Sequence, residues 1–251
     1  MTRRRAVSPE ETKQNADTLP VFYKTMVPLS PEQHGGLRLR LEREVGFAAT
    51  ANAIPVLADE FPRAMRDYPI VIADGDTPTP VALVGFEQGK NDQVTADGTW
   101  AEGTYMPAYV RRYPFAFLKE KEGSDRHILC ADVTSTLFTE DPGQGQALFE
   151  NGVKTEAIDR TLDFCKRYAA AAERTRQLME EVRDLGLIGP SSVTITRGEV
   201  RRKVEGFSII SEEKLRALDD KTLADLARRG AVTIFAAHQL SLANFSAFGE
   251  G

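Results

Sequence analysis

Residues that make chemistry easy to read are scarce in this chain: two cysteines, one tryptophan and three histidines among 251 residues. Cys130 and Cys165 cannot build a disulfide framework, and Cys165 falls on the apolar face of an expected helix, as a small hydrophobe in a reducing compartment does. No run approaches the ~18 consecutive apolar residues of a membrane-spanning helix. Neither sign of charge dominates: 32 basic against 37 acidic residues leave −5, too little to imply a nucleic-acid partner or a membrane surface. Arg3-Arg4-Arg5 near the start is followed by no apolar stretch of signal-peptide length, so residues 1–20 are expected to form a flexible lead-in and the protein to be cytoplasmic.

The familiar chemical motifs are missing as well. Gly85-Phe86-Glu87-Gln88-Gly89-Lys90-Asn91 is one residue short of a phosphate-binding loop and ends in Asn91 where a magnesium-binding Ser or Thr belongs. There is no Gly-x-Ser-x-Gly and no Cys-x-x-Cys. His34, His127 and His238 lie far apart in the chain. No cofactor is therefore expected. A metal centre needs tertiary convergence, with His34, His238 and a carboxylate such as Glu60 or Asp132 as the ligands that a metal-dependent enzyme would use.

What is present reads as a soluble α+β fold, placed in residues 21–251 as one domain with a β-rich part (21–153) and a helix-rich part (154–251). Residues 1–153 hold 16 basic and 22 acidic residues, and residues 154–230 hold 16 and 14, so charge changes where periodicity changes. Leu37–Glu42 alternates apolar and polar as a half-buried strand does. Tyr68–Ala73 and Val81–Phe86 flank Asp74-Gly75-Asp76-Thr77-Pro78-Thr79-Pro80, a hairpin signature. His127–Cys130 reads as another strand and Asp59–Met65 as a short helix. The clearest element is Thr155–Leu185, whose apolar or small residues Ile158, Leu162, Cys165, Ala169, Ala172, Met179, Val182 and Leu185 fit one helical face, with Gly186 as its stop. A hairpin over Val193–Thr196 and Val204–Ile210 follows. Ser211 and Asp220 cap two short helices, the second closed by Gly230. Val232–Phe248 is apolar without a period and fits strand or helix.

One stretch stands out. Trp100 to Phe115 holds five of the 20 aromatic residues, including the only tryptophan, together with Arg111-Arg112 and two prolines. Ring faces and guanidinium forks suit an anionic or sugar-like ligand. The candidate ligand-binding set is Trp100, Tyr105, Tyr109, Arg111, Arg112 and Tyr113, with Glu60 orienting an arginine. The other reading is that these rings are core, with one arginine paired to a carboxylate. If the segment is extended, Arg111 and Arg112 point to opposite faces, the inward one meeting Glu60 or Asp132.

Pro107-Ala108-Tyr109-Val110-Arg111-Arg112-Tyr113-Pro114-Phe115 resembles the signature of the bacterial SapC family. Val27-Pro28-Leu29-Ser30 with His34, Ile54-Pro55-Val56 with Glu60-Phe61, Asp97-Gly98-Thr99-Trp100 and Ala237-His238-Gln239-Leu240-Ser241-Leu242 resemble its other blocks in the same order. Members are often labelled peptide-transporter permeases, a label at odds with a chain lacking any apolar span. The resemblance implies a link to surface layers, where this chain could be a structural component, or an accessory role in nutrient uptake or peptide modification. The expectation is a binding protein for a peptide, a protein or an anionic small molecule.

Overall fold

The computed structural model describes residues 19–42, 44–119, 127–197 and 199–249; most of the expected lead-in, residues 1–18, lies outside them. The fold is α+β with antiparallel sheets. Its contacts group into two compact units, residues 1–41 with 113–158 and residues 42–112 with 159–251.

The first unit is strand-rich. Val27–Pro28 and Phe115–Lys119 flank His127–Ala131 in a three-stranded sheet, and the expected strand at His127 is found there. Asp132, wholly buried at the end of that strand, accepts hydrogen bonds from the Lys24 amide at 2.7 Å, the Thr25 hydroxyl at 2.9 Å and the Thr134 hydroxyl at 2.6 Å. The Tyr113 hydroxyl donates to the same carboxylate at 3.2 Å. The strand expected over Leu37–Glu42 shrinks to Arg38–Leu39, paired with Phe138–Thr139 on one side and Gln146–Ala147 on the other. Gly145 makes that packing possible, since a Cβ there would lie 2.3 Å from the Leu39 carbonyl oxygen.

The second unit carries a five-stranded sheet. Its elements in chain order are β1 (Ala53–Pro55), α1 (Phe61–Ala64), β2 (Ile70–Ala73), β3 (Thr79–Leu83), α2 (Ala108–Arg112), most of α3 (Glu156–Asp184), β4 (Ile188–Arg197), β5 (Val200–Ile210), α4 (Glu212–Arg216), α5 (Asp220–Arg228) and α6 (Ala231–Ser241). The sheet order is β4-β5-β2-β3-β1. Both expected hairpins form, β2–β3 in register Ile70↔Ala82 and β4–β5 in register Ile188↔Ile210.

Helix α3 buries Cys165, Ala171, Thr175, Met179 and Val182 along one face. It stops in a Schellman turn. Gly186 adopts φ 69°, its amide donates to the Arg183 carbonyl, and the Leu187 amide reaches back to Val182 at 3.0 Å. Val182 and Leu187 join the core with Ile72, Met179, Ile210, Leu226 and Phe235. Burying each such side chain stabilises the fold by about 1.5–3 kcal/mol. Ser211 caps α4 as expected. The cap of α5 is Asp219 rather than Asp220, because the Asp219 carboxylate reaches the amides of Lys221 and Thr222.

The aperiodic segment Val232–Phe248 is helical, as α6 followed by 3-10 turns. Its lack of a period has a cause in the sheet. β5 meets β2 only at Ser208↔Ile72, and side chains of α6 take over beyond that pair. Ser241 accepts from the Ile70 amide at 3.0 Å, and His238 Nε2 accepts from the Ile210 amide at 3.1 Å. An apolar helix therefore needs inward polar residues to satisfy backbone donors. His238 is wholly buried, and its imidazole lies within reach of the Ile70 backbone.

Burial pushes the His238 imidazole down to about 4 from 6.5. Between those values the unfolded chain takes up a proton that the folded chain refuses, so stability falls as pH falls. From pH 7.5 to 5 this group should cost about 2 kcal/mol. Burial raises the Asp132 carboxyl, but its hydrogen bonds more than offset that and hold it below the usual range, so its own loss comes at lower pH. Urea midpoints across that range check this expectation. His238→Gln should be less stable at pH 7.5 but flatter with pH, and a variant as acid-sensitive as the parent would contradict it.

Candidate functional site

The second unit contains an open cleft of about 560 Å³ between the turn at residues 57–63, the Tyr105–Arg111 segment and α3. Its construction starts from Glu60. That residue is 6% exposed, and its two carboxylate oxygens are taken up by groups of the chain itself. One accepts from the Leu57 amide at 2.9 Å, closing the 3-10 turn Ala58–Glu60. The other accepts from the Tyr105 hydroxyl and from the Ala108 amide, each at 2.7 Å. The same carboxylate thus holds the turn, the first residue of α2 and a cleft-wall tyrosine. Tyr105 is pinned further by its amide to Asp67 at 2.9 Å and its carbonyl to the Tyr68 hydroxyl at 2.7 Å. Burial and the adjacent Glu60 push the Tyr105 phenol up to about 12, so it is a neutral donor at physiological pH.

The arginine pair is arranged differently from the extended expectation. Residues 108–112 form a helical turn, because Pro107 presets the first turn, Glu60 satisfies the Ala108 amide, and Val110 and Arg111 donate back to the Pro107 carbonyl. The opposite-faces argument for neighbouring strand residues therefore does not apply. Glu60 faces the outer arginine, with Arg111 Nη2 at 4.0 Å and 42% of that side chain exposed. Arg111 also donates to the Tyr105 hydroxyl at 3.3 Å and lies over Phe164, 5.6 Å from the ring centre. Arg112, the half-buried one, sits between the rings of Tyr109 and Tyr168 at 4.6 and 4.4 Å. Asp132, the other proposed partner, is engaged by Lys24, Thr25, Thr134 and Tyr113.

Of the candidate residues, Glu60, Tyr105 and Arg111 line the cleft. Tyr109 is buried beside it and packs edge-on against Tyr168. Trp100 is 9% exposed and donates its indole N–H to the Tyr68 hydroxyl at 3.3 Å, so it braces the Tyr105 anchor from within. Tyr113 belongs to the first unit, packed against Tyr23. The metal candidates do not assemble: His34 accepts from the Ser30 amide in the first unit, while His238 and Glu60 have the structural roles given above. Among the described residues no three His, Cys, Asp or Glu side chains come together to hold a metal ion. Burial pushes both thiols up to about 11, so Cys130 and Cys165 are poor nucleophiles.

The sequence reading missed the wall supplied by α3. Phe164, Arg167, Tyr168, Ala171 and Arg174 follow helical spacing and face the cleft, with Arg63 of α1 opposite. Leu57, Ala108 and Ala171 form its apolar floor, packed by Phe164 and Tyr168. Arg174 pairs with Asp59 at 2.6 Å across the cleft, both side chains more than half exposed. Arg63 and Arg167 meet no carboxylate among the described residues. Four arginines against two carboxylates make the cleft basic in a chain of net −5.

The family model for SapC matches residues 29–248. The chain belongs to the SapC family. That match spans both units of the SapC-family fold and leaves out most of the N-terminal segment. No curated protein and no solved structure matches the chain. Among the described residues no helix is long and apolar enough to cross a membrane.

The two arginines should separate in stability measurements. Arg112→Ala removes a cation held between two rings and should cost about 1–2 kcal/mol. Arg111→Ala removes a partly exposed group whose pairing with Glu60 is long, and should cost less, about 0.5–1 kcal/mol. Glu60→Ala strands the Leu57 and Ala108 amides and should cost about 3 kcal/mol or more. Denaturant titrations of the three variants test the ranking, and equal large losses for both arginines would show that Arg111 is core.

Proposed function

We propose that this SapC-family chain is a soluble accessory protein of the cell interior that captures an anionic ligand or partner peptide in the arginine-lined cleft. The observation that carries this reading is the charge imbalance of the cleft. Glu60 is spent on the chain's own donors, and among the described residues Asp59 pairs with Arg174 alone, so Arg63, Arg111 and Arg167 offer guanidinium donors to an incoming anion. Phe164, Tyr168 and Tyr105 add ring area beside them. Apart from Asp59, which pairs with Arg174, the polar groups open to the cleft are mostly donors beside ring faces, a set suited to recognition. The two unpaired buried thiols fit a reducing compartment.

A thermal-shift series with citrate, inorganic phosphate and acidic peptides tests the proposal. A ligand at roughly 100 times its Kd should add about 3 kcal/mol to stability. Arg111→Ala combined with Arg167→Ala should abolish the shift without lowering the melting point of the free protein appreciably. Absence of any shift with all three anion classes, or a shift unchanged in the double variant, would overturn it.

A further inference from the structure

The four arginines of the cleft come from three elements, Arg63 from α1, Arg111 from α2, and Arg167 and Arg174 from α3. Arg167 and Arg174 are seven residues apart on one face, about 10 Å along the axis at 1.5 Å per residue. Arg111 sits at the Phe164 end of this stripe, and Asp59 answers Arg174 at the other. A pocket for a compact small anion gathers a few polar groups around one centre. This cleft is instead open, with Arg167 and Arg174 spaced along one wall and an apolar floor of Leu57, Ala108 and Ala171.

Resting on the anion-binding role proposed above, we infer that the occupant is an extended acidic peptide segment with two carboxylates three residues apart. In a polyproline-II conformation residues i and i+3 share a face about 9 Å apart, close to the Arg167–Arg174 spacing. One carboxylate meets Arg111 and Arg167, and the other meets Arg174 and Arg63. An apolar residue between them lies on the floor of Leu57, Ala108 and Ala171, beside Tyr168. Asp59 occupies Arg174 in the free protein, so the second carboxylate displaces it, and Asp59 acts as a built-in competitor that selects against singly charged ligands.

Fluorescence anisotropy with two labelled, end-capped peptides of the same composition tests this on the full chain. One carries Glu-Phe-Pro-Glu and the other Glu-Glu-Phe-Pro, with citrate as the small-anion competitor. The spaced peptide should bind more tightly than the adjacent one. Arg167→Ala and Arg174→Ala should each weaken it about two- to fivefold, as exposed ion pairs do, and binding should weaken with added salt. Asp59→Asn should tighten it by about the same factor. All three side chains are on the surface, and unchanged circular dichroism melts would confirm that the variants fold. Equal affinity for both peptides, or no gain in Asp59→Asn, would overturn the peptide inference. Binding of citrate alone would also overturn it while leaving the anion-binding role standing, and binding of none would remove both.

Discussion

The Glu60 carboxylate is the constraint on which the cleft depends. A buried anion is costly unless its oxygens are matched by donors. Here the Leu57 amide, the Tyr105 hydroxyl and the Ala108 amide supply them from three separate stretches of chain. Two of these stretches are held further: next to Leu57, the Ala58 amide donates to the Thr175 hydroxyl of α3, which donates to the Ala171 carbonyl. Tyr105 is clasped by Asp67 and Tyr68. The rigidity of the cleft walls follows from this network, since no member can move without leaving a buried polar group unmatched.

Around that anchor the aromatic residues divide by the job their environment gives them. Trp100 and Tyr68 are interior braces whose polar atoms finish the hydrogen bonds of the Tyr105 loop. Tyr109 and Tyr168 hold Arg112 between their faces, a position that lets a charged group sit half-buried. Among the described residues Tyr105, Phe164 and Tyr168 present ring surface to the cleft. An aromatic-rich sequence stretch is thus mostly support, and Arg111 is a group within it that stays partly exposed, at 42%.

Several features were legible because they depend on local spacing. Helix α3 declares itself through Ile158, Cys165, Met179 and Val182, and its end through Gly186, a position needing φ 69°. The two hairpins show in alternating or apolar runs around turn-forming residues. The cluster of Tyr105, Arg111 and Glu60 was visible as residue types suited to anion recognition. Its helical form was not, because the cap of α2 comes from Glu60, distant in sequence. Segment 232–248 was ambiguous for a related reason: His238 and Ser241 complete a sheet that the local sequence does not contain.

By itself the sequence determined the α+β class, the family, the long helix and the lack of an apolar span, since periodicity, turn chemistry and ordered motifs are properties of the chain read along its length. Tertiary structure alone decided which charges meet. Asp59 and Arg174 are distant in sequence yet 2.6 Å apart, and among the described residues no carboxylate pairs with Arg63 or Arg167. The basic character of the cleft is therefore invisible in a net charge of −5. Electrostatic complementarity depends on distance in space, and composition carries no distances.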